Sequence, residues 1–134
     1  MTFQLPAADL TWLTSMPDAQ AQARKESKLV LLDFTGSDWC PACKQLQADV
    51  FSKKEFSDYA KKNLVLVEVD FPVQKKQAAA LAKANDALQD KYKISGYPTL
   101  IALKPDGSVV WKQQGGVAGG PAALTAKLDE AKKK

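Results

Sequence analysis

The sequence predicts an α/β domain with a mixed β-sheet, on three observations. Two dense apolar runs of strand length, LVLLDF at 29–34 and LVLVEVDF at 64–71, are separated by segments with helical spacing, as parallel neighbours joined by crossover helices require. A third run, PTLIALK at 98–104, is followed at once by the turn PDG and by SVVWKQQ, the pattern of an antiparallel hairpin. Both cysteines of the chain lie just beyond the first run, at the carboxyl end of a central strand, where open α/β sheets place their ligands.

Taken in order, residues 17–28 (PDAQAQARKESK) are helix formers and polar residues, and predict a leading helix that feeds the first strand. Beyond the cysteines Leu46, Val50 and Phe51 recur at helical spacing, and SKKE at 52–55 has the form of a capping box that opens a second short helix through Lys62. After the strand at 64–71, residues 75–91 are rich in alanine, with Leu81, Ala84 and Leu88 on one stripe, which predicts a long helix. Beyond the hairpin, Gly115, Gly116, Gly119 and Gly120 mark a loop, Pro121 suits the first turn of a helix, and AALTAKLDEAKKK completes it. The order is β-α-β-α-β-β-α after a leading helix, with no repeat and no linker, so residues 1–134 read as one domain.

A chain of 134 residues, 46% hydrophobic and 25% charged, has the makeup of a single globular core. The net charge of +4 comes from scattered basic residues, three of them in the terminal KKK, which points away from a nucleic-acid partner. No apolar run approaches the roughly 18 residues needed to span a bilayer, and MTFQLPAADLTWL lacks the basic and apolar regions of a signal peptide. A monomer without stable membrane insertion is expected.

Cys40 and Cys43 admit three readings. A zinc site needs about four ligands, and with no histidine and no third cysteine the rest would have to be carboxylates. A structural disulfide across two intervening residues closes a loop too small to stabilise the fold much. A redox pair fits the setting best. At a helix start after a strand, the first sulfur is ionised by the helix dipole and free N–H groups, while the second waits one turn along to resolve a mixed disulfide. No metal and no cofactor are then required.

The stretch DWCPACKQL, with Trp39 before Cys-x-x-Cys and a lysine after it, resembles the active site of the thioredoxin superfamily. YKISGYPTLIAL at 92–103 resembles that family's cis-proline segment. The resemblance covers roughly residues 28–128, with 1–27 as an N-terminal helical extension. The longer form LDFTGSDWCPACK is most similar to the thioredoxin-like branch of exported bacterial thiol:disulfide interchange proteins. It implies a thioredoxin-like fold, a central mixed sheet flanked by helices, and thiol:disulfide oxidoreductase activity. The chain departs from the pattern twice. Asp33 stands seven residues before Cys40, one more than in ordinary thioredoxins, so a bulge is expected in FTGSD. The interval 70–98 is also longer, which is assigned to an extended helix over 75–91.

On this reading Cys40 is the exposed nucleophile and Cys43 resolves. Trp39 shields the site and contacts substrate; Pro98 faces the sulfurs, and the backbone of Tyr97 pairs with an extended peptide. Gly116 is either a close-approach glycine of the substrate groove or a plain loop residue. Lys44 either adds positive potential or is solvated, and Asp38 reads as surface. Asp33 shares a strand face with Leu29 and Leu31, so it is expected to be partly buried beneath the active-site loop, with a raised pKa that lets it take the Cys43 proton. The bland alternative is a capping aspartate.

The absence of histidine favours a reductant of protein disulfides, fed by an upstream thiol donor. A charge-assisted hydrogen bond of about 1.5–3 kcal/mol shifts a two-electron potential by about 30–60 mV, so a few contacts decide the direction. An oxidase or isomerase, and a non-catalytic binding module of the same fold, stay open. The expected location is periplasmic or otherwise exported, with the cytoplasm as the alternative.

Overall fold

The computed structural model describes residues 10–134. The strands are β1 (Trp12–Leu13), β2 (Leu29–Thr35), β3 (Leu64–Asp70), β4 (Thr99–Leu103) and β5 (Val109–Gln114). The helices are α1 (Met16–Glu26), α2 (Pro41–Leu46), α3 (Lys54–Asn63), α4 (Ala79–Lys91) and α5 (Gly120–Lys132), and α2 runs on through a wider π-type turn, Gln47–Phe51. The sheet order is β1-β3-β2-β4-β5, with β1, β3 and β2 parallel and β4 and β5 antiparallel. This is the thioredoxin-like architecture, a mixed five-stranded sheet between helices.

Strand alternation divides the core into two layers. Leu29 and Leu31 of β2 with Leu64 and Leu66 of β3 face Phe56 and Ala60 of α3 and Leu124 and Leu128 of α5. Val30, Leu32 and Phe34 with Val65, Val67 and Val69 face the other way, onto Ala19 and Ala23 of α1 and Leu88 of α4. Both faces are covered, which is why β2 reads as a nearly continuous apolar run. The first helix is held at its start by the Ser15 side chain, which accepts from the Asp18 N–H at 3.3 Å.

Four local expectations need correction. The leading segment contains a strand as well as a helix: Trp12 and Leu13 pair with Leu66 and Val67, a two-residue element too short to leave a periodic signal. Residues 1–9, which begin the proposed extension, lie outside the described region. The SKKE capping box does not form. Lys53 is the N-cap of α3, and the Ser52 hydroxyl donates back to the Ala48 carbonyl at 2.8 Å, closing the preceding turn instead. The long helix begins at Ala79: the Lys75 N–H donates to Asp38 and the Gln77 side chain to the Asp70 carbonyl, which tie this stretch to the cysteine turn and the end of β3; Ala84 of the expected stripe is exposed, and Asn85 is the residue buried there. Finally, no bulge interrupts β2. Its register with β3 is unbroken from Leu29 to Thr35, and the additional residue is taken up in the turn after the strand, where the N–H groups of Trp39 and Cys40 both donate to the Gly36 carbonyl.

Candidate active site

The turn after β2 delivers Cys40 to the head of α2. Cys40 is the N-cap, with extended backbone, and its sulfur accepts the Cys43 N–H at 3.2 Å; Pro41, which lacks an N–H, occupies the first helical turn, where none is needed. Cys40 and Cys43 are joined as a disulfide, their Cα atoms 5.2 Å apart. The expectation of one exposed and one buried sulfur is not met in this oxidised form: Cys40 is 4% exposed and Cys43 6%. Bonding to Cys43 holds the Cys40 sulfur against the first turn of its own helix.

Trp39 is 41% exposed, with its indole N–H donating to the Phe71 carbonyl at 2.7 Å. Its ring meets Tyr97 edge-on at 5.7 Å, and Tyr97 in turn meets Phe71 at 5.5 Å. The indole crosses directly over Gly36, where a Cβ would collide with the ring, so a glycine is required. The Tyr97–Pro98 peptide bond is cis. Pro98 is buried, and its carbonyl accepts the Gly115 N–H at 2.7 Å. Gly116 lines a shallow groove with Ala42 of α2, but nothing among the described residues lies within 4 Å of where its Cβ would be, so no contact among them demands a glycine. Trp39, Tyr97, Pro98 and the 115–116 loop thus gather around the cysteine turn.

Asp33 lies behind the disulfide. It is buried on the face predicted for it, its Oδ1 finds no donor among the described residues, and its pKa is raised to about 8, first by burial and then by the charges of Glu68 and Asp70. It lines a cavity of about 160 Å³ together with Thr35, Cys43, Lys44, Gln47 and Glu68. The capping alternative does not apply to that oxygen, which accepts no N–H among the described residues.

Three acidic side chains around the site went unassigned at the level of sequence. Asp38 is no bystander: its carboxylate accepts the N–H groups of Val73, Gln74 and Lys75 at 3.0, 2.8 and 2.8 Å, which holds its pKa below the usual carboxylate range. Asp70 accepts the Ser37 N–H at 2.9 Å and pairs with Lys75 at 3.1 Å. Together they bind the cysteine turn to the segment after β3. Glu68 lies beside Asp33 in register. The available signal was the alternation in LVLVEVD, which places Glu68 and Asp70 on the same face as Leu64 and Leu66.

Comparison with known proteins agrees with this geometry. A thioredoxin-like domain model matches residues 16–132. The chain belongs to the thioredoxin-like family. It is 34% identical over 132 residues to the disulfide bond reductase DsbH of Chlamydia pneumoniae, covering 98% of this chain and 78% of that protein. A solved structure of a DsbH oxidoreductase superposes with a TM-score of 0.87 at 33% identity, covering 99% of this chain and 91% of that one. The thiol:disulfide interchange protein DsbD of Vibrio cholerae is 32% identical over 98 residues, 73% of this chain but 15% of that protein. With a bonded Cys-x-x-Cys pair at the head of α2, the chain carries the site of a thiol:disulfide oxidoreductase. No helix among the described residues is long and apolar enough to cross a membrane.

Proposed function

We propose that the chain is a protein disulfide reductase of an exported compartment, working through Cys40 and Cys43. The observation that carries this reading is the cysteine pair itself. Cys40 sits at the helix start with its sulfur accepting a backbone N–H, which favours the thiolate once the disulfide is opened. In the reduced protein the Cys40 thiolate attacks a substrate disulfide. One substrate sulfur leaves as thiolate and takes up a proton, and a mixed disulfide forms. Cys43 then gives its proton to the Asp33 carboxylate and attacks the Cys40 sulfur, releasing the second substrate sulfur and closing the Cys40–Cys43 bond. Two electrons pass from the dithiol to the substrate, and an upstream thiol donor restores them.

Trp39, Tyr97, Pro98 and Gly116 form the surface on which a disulfide-containing protein lies, with Tyr97 offering backbone groups to an extended segment. The reducing direction is supported by the absence of any histidine to stabilise a strongly oxidising thiolate and by the name of the relative at 34% identity, a disulfide bond reductase. Equilibration with glutathione tests the direction. A potential near about −270 mV agrees with a reductant, and one near about −120 mV makes the protein an oxidant. Insulin turbidity with dithiothreitol tests turnover, and an inert protein would be a binding module instead.

A further inference from the structure

Asp33 and Glu68 are direct neighbours in parallel strands, on one face, with no residue between them. Glu68 borders two cavities. One, about 160 Å³, is shared with Asp33 and Cys43. The other, about 260 Å³, is lined by Asp70, Lys75, Lys76 and Thr14. Asp33 is the enclosed member of the pair and Glu68, half-buried, the member closer to solvent.

We propose that Glu68 is a positioning residue for disulfide exchange: its carboxylate, held beside Asp33, keeps the proton on Asp33 in the oxidised protein, ready for the Cys43 sulfur. This rests on the reading of Asp33 given above. When a donor dithiol opens the disulfide, its thiolate attacks the Cys40 sulfur and the Cys40–Cys43 bond breaks. The electron pair goes to Cys43, which takes the proton from Asp33. The donor's second thiolate then displaces Cys40 from the mixed disulfide. The donor is oxidised and the protein reduced by two electrons. When substrate is reduced, the same proton returns from Cys43 to Asp33.

The charges around the pair favour this division. Facing Asp33 are Glu68 and Asp70 from β3 and Lys44 from α2, while β4 presents only Leu100 opposite it. Facing Glu68 are Asp70, which disfavours its charge, and Lys75, which favours it. Of two adjacent carboxyl groups, the one nearer a cation and water ionises and the enclosed one keeps the proton. Glu68 itself is raised by partial burial first, so the two titrate as a pair.

The test is the titration of the Asp33 carboxyl carbon, followed by ¹³C NMR in the oxidised protein, alongside the pH profile of its reduction by dithiothreitol. Glu68→Gln, close in shape but uncharged, lowers the Asp33 midpoint by about half a pH unit or more and moves the profile to lower pH with it. Glu68→Asp, which keeps the charge, leaves both near the parent values. A midpoint that stays in place in Glu68→Gln, or a profile that does not follow it, overturns the proposal. Failure of the underlying reading shows separately: Asp33→Asn would then keep the parent's pH profile.

Discussion

Along β2 and β3, the neighbours Leu29 and Leu64, then Leu31 and Leu66, face α3 and α5; two positions further on, the same face carries Asp33 beside Glu68 and Thr35 beside Asp70. Backbone pairing is continuous through both halves. The apolar half removes surface from water and holds the helices. The polar half sits against the cysteine turn, and it carries a buried acid whose Oδ1 has no donor among the described residues. One end of the strand pair stabilises the fold, and the other holds carboxyl groups behind the sulfurs, at a cost to that stability.

The largest effects fall on the sulfurs. Cys40→Ser abolishes disulfide exchange, while Cys43→Ser accumulates covalent complexes with substrate proteins through Cys40, visible as thiol-sensitive bands on non-reducing gels. Equal trapping by both variants would reverse or remove the assigned roles.

Next comes the contrast between adjacent residues on one strand face. Leu31→Ala empties a fully buried site and costs about 2–5 kcal/mol in urea unfolding. Asp33→Ala does the opposite and raises stability, by on the order of 2–4 kcal/mol at pH 7. The sign follows from a folded-state pKa of about 8 against an ordinary 3.8. Below about pH 4 both states of the parent hold the proton and the acid imposes no penalty. As pH rises toward 8 only the unfolded chain ionises, so the penalty grows, then levels off above that. The gain from Asp33→Ala is therefore small near pH 4 and largest near pH 8–9. A loss of stability on this substitution would place Asp33 with the leucines.

How much of this contrast was legible in the sequence depended on distance along the chain. The apolar half is written in LVLLDF and LVLVEVDF, and the cysteine turn in its own spacing, so the two central strands, the hairpin and the disulfide site follow from local pattern, whereas the edge strand Trp12–Leu13 does not. Asp33 was legible because alternation places it on the face of Leu29 and Leu31. Glu68 carries the same alternation, but its meaning depends on register with β2, which no local pattern states. Asp38 was read as surface because its partners, Val73 to Lys75, lie 35 to 37 residues away. The start of the expected helix is likewise held by distant groups, Lys75 by Asp38 and Gln77 by the Asp70 carbonyl, and α4 begins only at Ala79. The even burial of the two sulfurs reflects the disulfide, a state of the pair that spacing does not reveal.

A smaller effect is expected at that clamp. Asp38→Ala frees three N–H groups, so amide exchange at Val73, Gln74 and Lys75 speeds up by about tenfold or more while global melting changes little. Unchanged exchange there would mean that Lys75, paired with Asp70, holds the segment alone.

Whether the polar end of β2 and β3 serves proton transfer to and from Cys43 is decided by stopped-flow resolution of a Cys40 mixed disulfide in the parent and in Asp33→Ala from about pH 6 to pH 9. The parent is expected to be roughly tenfold faster near pH 7, below the usual range for a general base because a carboxyl with a pKa of about 8 is mostly protonated there. The two rates then converge near pH 9, where an ordinary thiol ionises unaided. A rate ratio near one that does not change with pH would contradict it.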